Sequence, residues 1–189
     1  MKLSGEEGAA LVALARAAIE DKLFGNGALA RRRAALVITP PLAAPRACFV
    51  TLESAGDSGL SLRGCIGGAE ASLPAHEAIV ASATDAAFAD PRFDPLTREE
   101  YPAIVISVSA LTPMTAVLQA DEIVVGRDGV ALECDGRRAL FLPEVAPKYG
   151  WTRRILLEQL ARKAGLPAQA WRRARLFAFE SEHFGETSG

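Results

Sequence analysis

The stretch "GLSLRGCIGG" (59–68) sets an arginine and a cysteine two residues apart among four glycines, and no other run of the chain is as suggestive chemically. If residues 62–67 are extended, successive side chains point to opposite faces. Leu62, Gly64 and Ile66 then share one side, and Arg63, Cys65 and Gly67 the other. Arg63 would favour a thiolate at Cys65, because a neighbouring cation stabilises the ionised form. Gly67 and Gly68 would leave the approach to the sulfur uncrowded and let backbone amides face a ligand. Ser72 is placed to cap a helix over 73–88, whose positive end would strengthen the same field. That combination suits a nucleophilic cysteine or an anion-binding pocket.

Packing competes with chemistry at these residues. Free cysteine is among the most buried residue types and behaves as a small hydrophobe. Glycine within a strand marks a bulge or a close backbone approach. No histidine lies at an obvious spacing from Cys65, although His76 could fold back from the following helix. "GCIGG" lacks the glycine spacing of either phosphate-binding loop. Structural packing of Cys65 therefore ranks ahead of a ligand or partner surface, and both rank ahead of covalent catalysis.

Other residues carry weaker signals. Asp90 and Arg92 in "DPRF" form either a recognition pair or a bond that stabilises a turn. Glu144 and Trp151 could line a cleft, with a solvated Glu144 and a Trp151 packed on the last helix as the simpler alternative. His183 reads as a polar surface group, and Cys48 and Cys134 fit strand interiors. Three widely spaced cysteines and two histidines give neither a disulfide framework nor a metal-ligand spacing. No metal and no cofactor are expected.

The elements that must position these groups are legible from pattern. Ser4 and Glu7 form a capping box ahead of a helix bearing Leu11, Leu14, Ala15 and Ala18, and "GNG" (25–27) ends it. "ITPPLAAPRA" (38–47) reads as irregular, because its prolines remove amide donors. Residues 47–54 read as a strand, with 60–66 returning antiparallel after the "AGDSG" loop. A helix over 73–88 buries Ile79, Val80, Ala83, Ala86 and Ala87. "AIVISVSAL" (103–111) is a further strand. "EIVVG" (122–126), "VALEC" and "RRALFL" read as a meander, with Asp135-Gly136 as its hairpin turn. A last helix over 152–164 is stopped by Gly165 and Pro167, and 175–182 closes the chain as a strand. Interspersed strands and helices without βαβ alternation favour an α+β fold.

A 189-residue chain with a formal net charge of −2 lacks the basic field that nucleic-acid binding needs. The runs Arg31–Arg33 and Arg172, Arg173, Arg175 read as solvated faces or helix ends. No apolar run approaches the roughly 20 residues required to span a bilayer. Acidic residues near the start argue against a signal peptide, so a soluble, cytoplasmic protein is expected, with no membrane partner.

"FVTL" (49–52), "LRGCIGG" (62–68), "DPRF" (90–93), "FLPEVAPKYGW" (141–151) and "KAGLP" (163–167) occur in an order that resembles the AMMECR family, whose hallmark is Leu-Arg-Gly-Cys-Ile-Gly. The resemblance runs from about residue 49 to the end of the chain. It implies an α+β fold with a curved, barrel-like, mostly antiparallel sheet and flanking helices, in two subdomains of one domain. The domain would cover 1–189: an N-terminal helix and proline-rich connection to about 46, a motif-bearing body over 47–182, and a tail over 183–189. Bacterial and archaeal members resemble the A component of the AmmeMemoRadiSam system, which implies a Memo-like protein and a radical S-adenosylmethionine protein as partners. The activity of the family is unestablished. The resemblance implies an accessory or scaffold component, with a small enzyme using Cys65 and Arg63 on an anionic substrate as the alternative. The chain has no C-x-x-x-C-x-x-C, so an iron–sulfur cluster would have to reside in a partner. Gly68 and Glu144 stand where many relatives carry Thr or Ser and Gln.

Overall fold

A computed structural model describes residues 2–56, 59–68 and 70–186. Its first helix, α1 (Gly5–Phe24), begins at the expected capping box. The Ser4 hydroxyl accepts the Glu7 amide (3.2 Å), and the Glu7 carboxylate accepts the Ser4 amide (2.6 Å). Gly25 ends the helix at φ 62°, a left-handed conformation that costs glycine little. The arginine run Arg31–Arg33 lies exposed on a short second helix, α2 (Ala28–Ala35). The segment read as irregular contains one helical turn, α3 (Pro40–Ala43). Its two prolines occupy the first turn, where no intrahelical amide donor is needed.

Strands β1 (Cys48–Gly56), β2 (Gly59–Gly67), β3 (Ile104–Leu111) and β8 (Ser181–Gly185) form one four-stranded sheet in the order β2-β1-β3-β8. β1 is antiparallel to both β2 and β3. Helix α4 (Ala75–Phe88) packs on β1, β2 and α1. Leu11, Leu14, Ile19, Val50, Leu52, Ile79, Ala83, Ile106 and Val108 fill the core between them. Pro74, rather than Ser72, precedes this helix, and it makes no side-chain cap. The supposed tail is partly structured, because residues 183–185 belong to β8.

A second sheet, in the order β4-β7-β5-β6, is antiparallel throughout and comprises β4 (Thr115–Val117), β5 (Gly129–Cys134), β6 (Arg137–Phe141) and β7 (Arg175–Phe179). It packs against α6 (Arg153–Lys163), which follows the short α5 (Val145–Lys148), around Ile123, Val130, Leu132, Leu156, Leu157 and Leu160. Asp135 and Gly136 both take positive φ (52° and 72°), as a tight hairpin turn requires. "EIVVG" forms no strand. Asp128 accepts the Val124 amide (2.8 Å) and returns its own amide to the Val124 carbonyl (2.9 Å), closing a turn that removes Val124 from any ladder.

The α+β expectation therefore holds, with neither sheet closed into a barrel. The chain forms two compact units, Met1–Ala110 with Glu182–Gly189, and Leu111–Ser181. No helix among the described residues is long and apolar enough to cross a membrane.

Within the first unit, Glu182 ties the end of the chain to its beginning. It accepts the Leu3 amide (3.0 Å) and pairs with Arg46, whose side chain is 4 % exposed. Breaking a buried ion pair from one side leaves a desolvated charge. Glu182→Ala is therefore expected to cost about 3 kcal/mol in urea unfolding, against near-neutral effects at surface acids.

Candidate functional site

The hexapeptide lies on β2, an edge strand, and its alternation is interrupted. Leu52 pairs with Gly64 and Glu53 with Leu62, so Arg63 is the extra residue of a bulge. Gly64 and Ile66 face the core, as expected. The bulge turns Leu62 away from them, and it is 45 % exposed.

Arg63 does not serve Cys65. Its Nε and Nη2 donate to the two Glu100 oxygens (2.8 and 3.2 Å), and Nη2 also donates to the Asp94 carbonyl (2.9 Å). Glu100 raises the Arg63 pKa, and Arg63 holds Glu100 down at about 2. The cation that touches Cys65 is Arg92, whose charged form is stabilised chiefly by Asp90 and whose Nη2 meets the Cys65 carbonyl.

Asp90 and Arg92 grip the backbone of Cys65 from the open side of the strand. Asp90 Oδ2 accepts the Cys65 amide (2.9 Å), and Arg92 Nη2 donates to the Cys65 carbonyl (3.1 Å). The two side chains are themselves joined by a fork, Nε to Oδ1 (2.9 Å) and Nη2 to Oδ2 (2.6 Å). Asp90 is buried, and Arg92 holds its carboxyl far below the usual carboxylate range, helped by the Cys65 and Arg92 amides. Phe93 receives both guanidinium groups against its ring, Arg63 at 5.7 Å and Arg92 at 5.5 Å from the centroid.

Cys65 is half-buried, and its sulfur accepts a hydrogen bond from the Thr51 hydroxyl across the strand pair (3.3 Å). His76 does not fold back onto it: the ring Nδ1 donates to the Leu42 carbonyl (2.9 Å). The helix field is reversed from the expected one. A Cβ on Gly64 would lie 2.2 Å from the Ala86 carbonyl oxygen, so the C-terminal end of α4, the negative end of its dipole, meets the strand beside Cys65.

The glycines are occupied as well. A Cβ on Gly67 would sit 2.3 Å from the Cys48 carbonyl oxygen and 2.5 Å from the Phe49 ring. The Gly68 amide, expected to face a ligand, donates to the Cys48 carbonyl (3.2 Å). Gly68 has space, its nearest neighbour to a built Cβ being 3.8 Å away, so a small side chain such as Ser would fit there. Cys48 is sealed, and burial pushes its thiol up to about 12.

The AMMECR1 family profile matches residues 12–184, a span that includes both units. The chain belongs to the AMMECR1 family. A protein of Thermofilum pendens is 39 % identical, aligned over 99 % of this chain and 93 % of its own length. One of Methanocaldococcus jannaschii is 38 % identical over 97 % of this chain and 92 % of its own. The crystal structure of an uncharacterized protein from Pyrococcus horikoshii superposes with a TM-score of 0.79 at 33 % identity, covering 99 % of this chain and 95 % of that one.

The structure thus brings residues 62–68 of this AMMECR1 chain together with Asp90 and Arg92, while Glu144 and Trp151 belong to the second unit. Glu144 is exposed at the start of α5. Trp151 stacks on Tyr149 (centroids 5.0 Å apart), meets Phe141 edge-on (5.5 Å), and packs against the core beneath α6. Pattern reading missed Thr51, Phe93 and Glu100. A signal for Glu100 was present: Thr97-x-x-Glu100 is a capping-box spacing, and the reciprocal bonds form (3.3 and 2.9 Å). Among the described residues, no group of three or more His, Cys, Asp and Glu side chains could hold a metal.

Two measurements follow from this geometry. Gly64→Ala forces its methyl against backbone and is expected to cost about 1–3 kcal/mol in urea unfolding, whereas Gly68→Ser is expected to be tolerated. Asp90 and Glu100 bind protons less readily folded than unfolded, so their stabilisation is complete above the ordinary carboxylate range. It drains away as pH falls from about 4 towards 2. Melting temperatures across that window should fall steeply in the native chain and less steeply in Asp90→Asn, which should start lower at neutral pH.

Proposed function

We propose that this chain is a cytoplasmic, non-catalytic accessory component that acts with Memo-like and radical S-adenosylmethionine partners, and that all 189 residues serve as one domain. The partner surface in the first unit is the outer side of the hexapeptide together with the DPRF turn. One observation carries this reading: every group that would activate Cys65 is already engaged elsewhere. Arg63 is bound to Glu100, Arg92 is forked to Asp90, and His76 is bonded to Leu42. A nucleophilic thiol needs a base or an unspent cation, and among the described residues the sulfur's hydrogen bond is to the Thr51 hydroxyl. What the site does offer outward is an exposed Leu62 on β2 and an Arg92 whose side chain is 52 % exposed, an apolar and a cationic group of the kinds found at protein interfaces.

A second reading, a cysteine-dependent enzyme acting on an anionic substrate, draws on the partial exposure of Cys65 and its nearness to Arg92. Two experiments separate them. Mixed with purified Memo-like and radical S-adenosylmethionine proteins from its own genome, the chain should co-elute in size-exclusion chromatography. Cys65→Ser should preserve that complex, and Leu62→Glu should disperse it. Iodoacetamide should alkylate Cys65 no faster than a free cysteine at neutral pH. Alkylation accelerated about tenfold or more, with no complex formed, would transfer the case to the enzyme.

A further inference from the structure

Helices α1 and α2 leave an open groove of about 680 Å³ on the first unit. Its floor is one face of α1, formed by Ala9, Val12, Ala13 and Ala17, and its wall carries Arg31 and Arg32 of α2. The apolar positions of that face are alanine or valine, short side chains over which a helix can lie, and Arg16 and Glu20 of α1 border them. Beyond α2 the chain also exposes Val37 and Ile38, by 79 % and 55 %, outside the groove lining.

The charges lining the groove are not balanced. Three arginines, Arg16, Arg31 and Arg32, face two glutamates: Glu186 pairs with Arg16, and Glu20 keeps its charge while accepting from the Asn26 side-chain amide (2.8 Å) and the Tyr101 hydroxyl (3.2 Å). Arg31 donates only to the Asn26 carbonyl (2.6 Å), and neither it nor Arg32 meets a carboxylate among the described residues. Arg33 follows them, also exposed, so α2 presents three consecutive guanidinium groups that pair with no carboxylate among the described residues. Their position in the last turn suits the helix dipole, but it neutralises none of them.

We infer that the α1–α2 groove is a docking site for an acidic amphipathic helix of a partner protein. The partner's apolar side lies on the alanine floor, and its glutamate or aspartate flank meets Arg31 and Arg32. This is the helix-in-groove mode of recognition, with the occupant's sign set by the unpaired arginines. The inference does not depend on the hexapeptide surface, so Cys65→Ser and Leu62→Glu chains should dock the helix normally.

The probe is a fluorescein-labelled helical peptide with leucines on one face and glutamates along the adjoining flank, followed by fluorescence anisotropy with the full chain. Saturable binding is expected, weakening with added salt, and the same peptide with glutamines in place of glutamates should bind at least about tenfold more weakly. Arg31→Gln/Arg32→Gln should lose a similar factor. Ala13→Phe, which fills the floor, should abolish binding while leaving the circular dichroism melt of the chain near native. Absence of saturable binding, or equal affinity for both peptides, would overturn the inference. So would sedimentation showing a dimer that Ala13→Phe dissolves, since the groove would then belong to a second copy of the chain.

Discussion

An edge strand must do something with the amides and carbonyls that point away from its sheet. β2 solves this at Cys65 with two side chains from a single turn: Asp90 takes the amide and Arg92 takes the carbonyl. Because the carboxylate and guanidinium are also forked to each other, the turn behaves as one rigid clip over the hexapeptide. Phe93 is then held between Arg92 and Arg63, which draws Arg63 outward to Glu100 and away from the sulfur. Burial of Asp90 makes the clip obligatory, for a buried carboxylate without these donors would be strongly unfavourable.

The same economy explains why glycine recurs in the motif. Gly64 is where the last turn of α4 presses its backbone onto β2, and Gly67 is where β2 crosses the start of β1. Each is a contact between main chains with no room for a methyl group. The motif therefore records the packing of a helix, an edge strand and a clasping turn. The features it leaves accessible, Leu62 and the outer side of Arg92, are suited to touching another surface rather than to breaking bonds.

Much of this was legible in the sequence wherever a local rule decides the structure. The Ser4–Glu7 capping box, the Asp135-Gly136 hairpin and the stop at Gly165 all depend on residues within a few positions of each other. Legibility failed where distant partners decide. "EIVVG" has strand composition, yet Asp128 captures its backbone in a turn. Strict alternation placed Leu62 with Gly64, and a bulge undid it. Proximity in sequence suggested Arg63 as the partner of Cys65, but Glu100, far along the chain, competes for that guanidinium and wins with two hydrogen bonds. The helix dipole was assigned by chain order, which places the N-terminus of α4 after β2. The tertiary arrangement brings its other end to Gly64.

Membership of the AMMECR1 family and the near-complete coverage of archaeal relatives place the whole molecule in one lineage without supplying a reaction. The clip at Cys65 is what orders the hexapeptide, and amide hydrogen exchange at that one residue reports on it. A Cys65 amide held by Asp90 should exchange as slowly as the ladder amides of β1, and Asp90→Asn should accelerate it selectively. Exchange in the native chain at the rate of a solvent-facing edge amide would contradict the account.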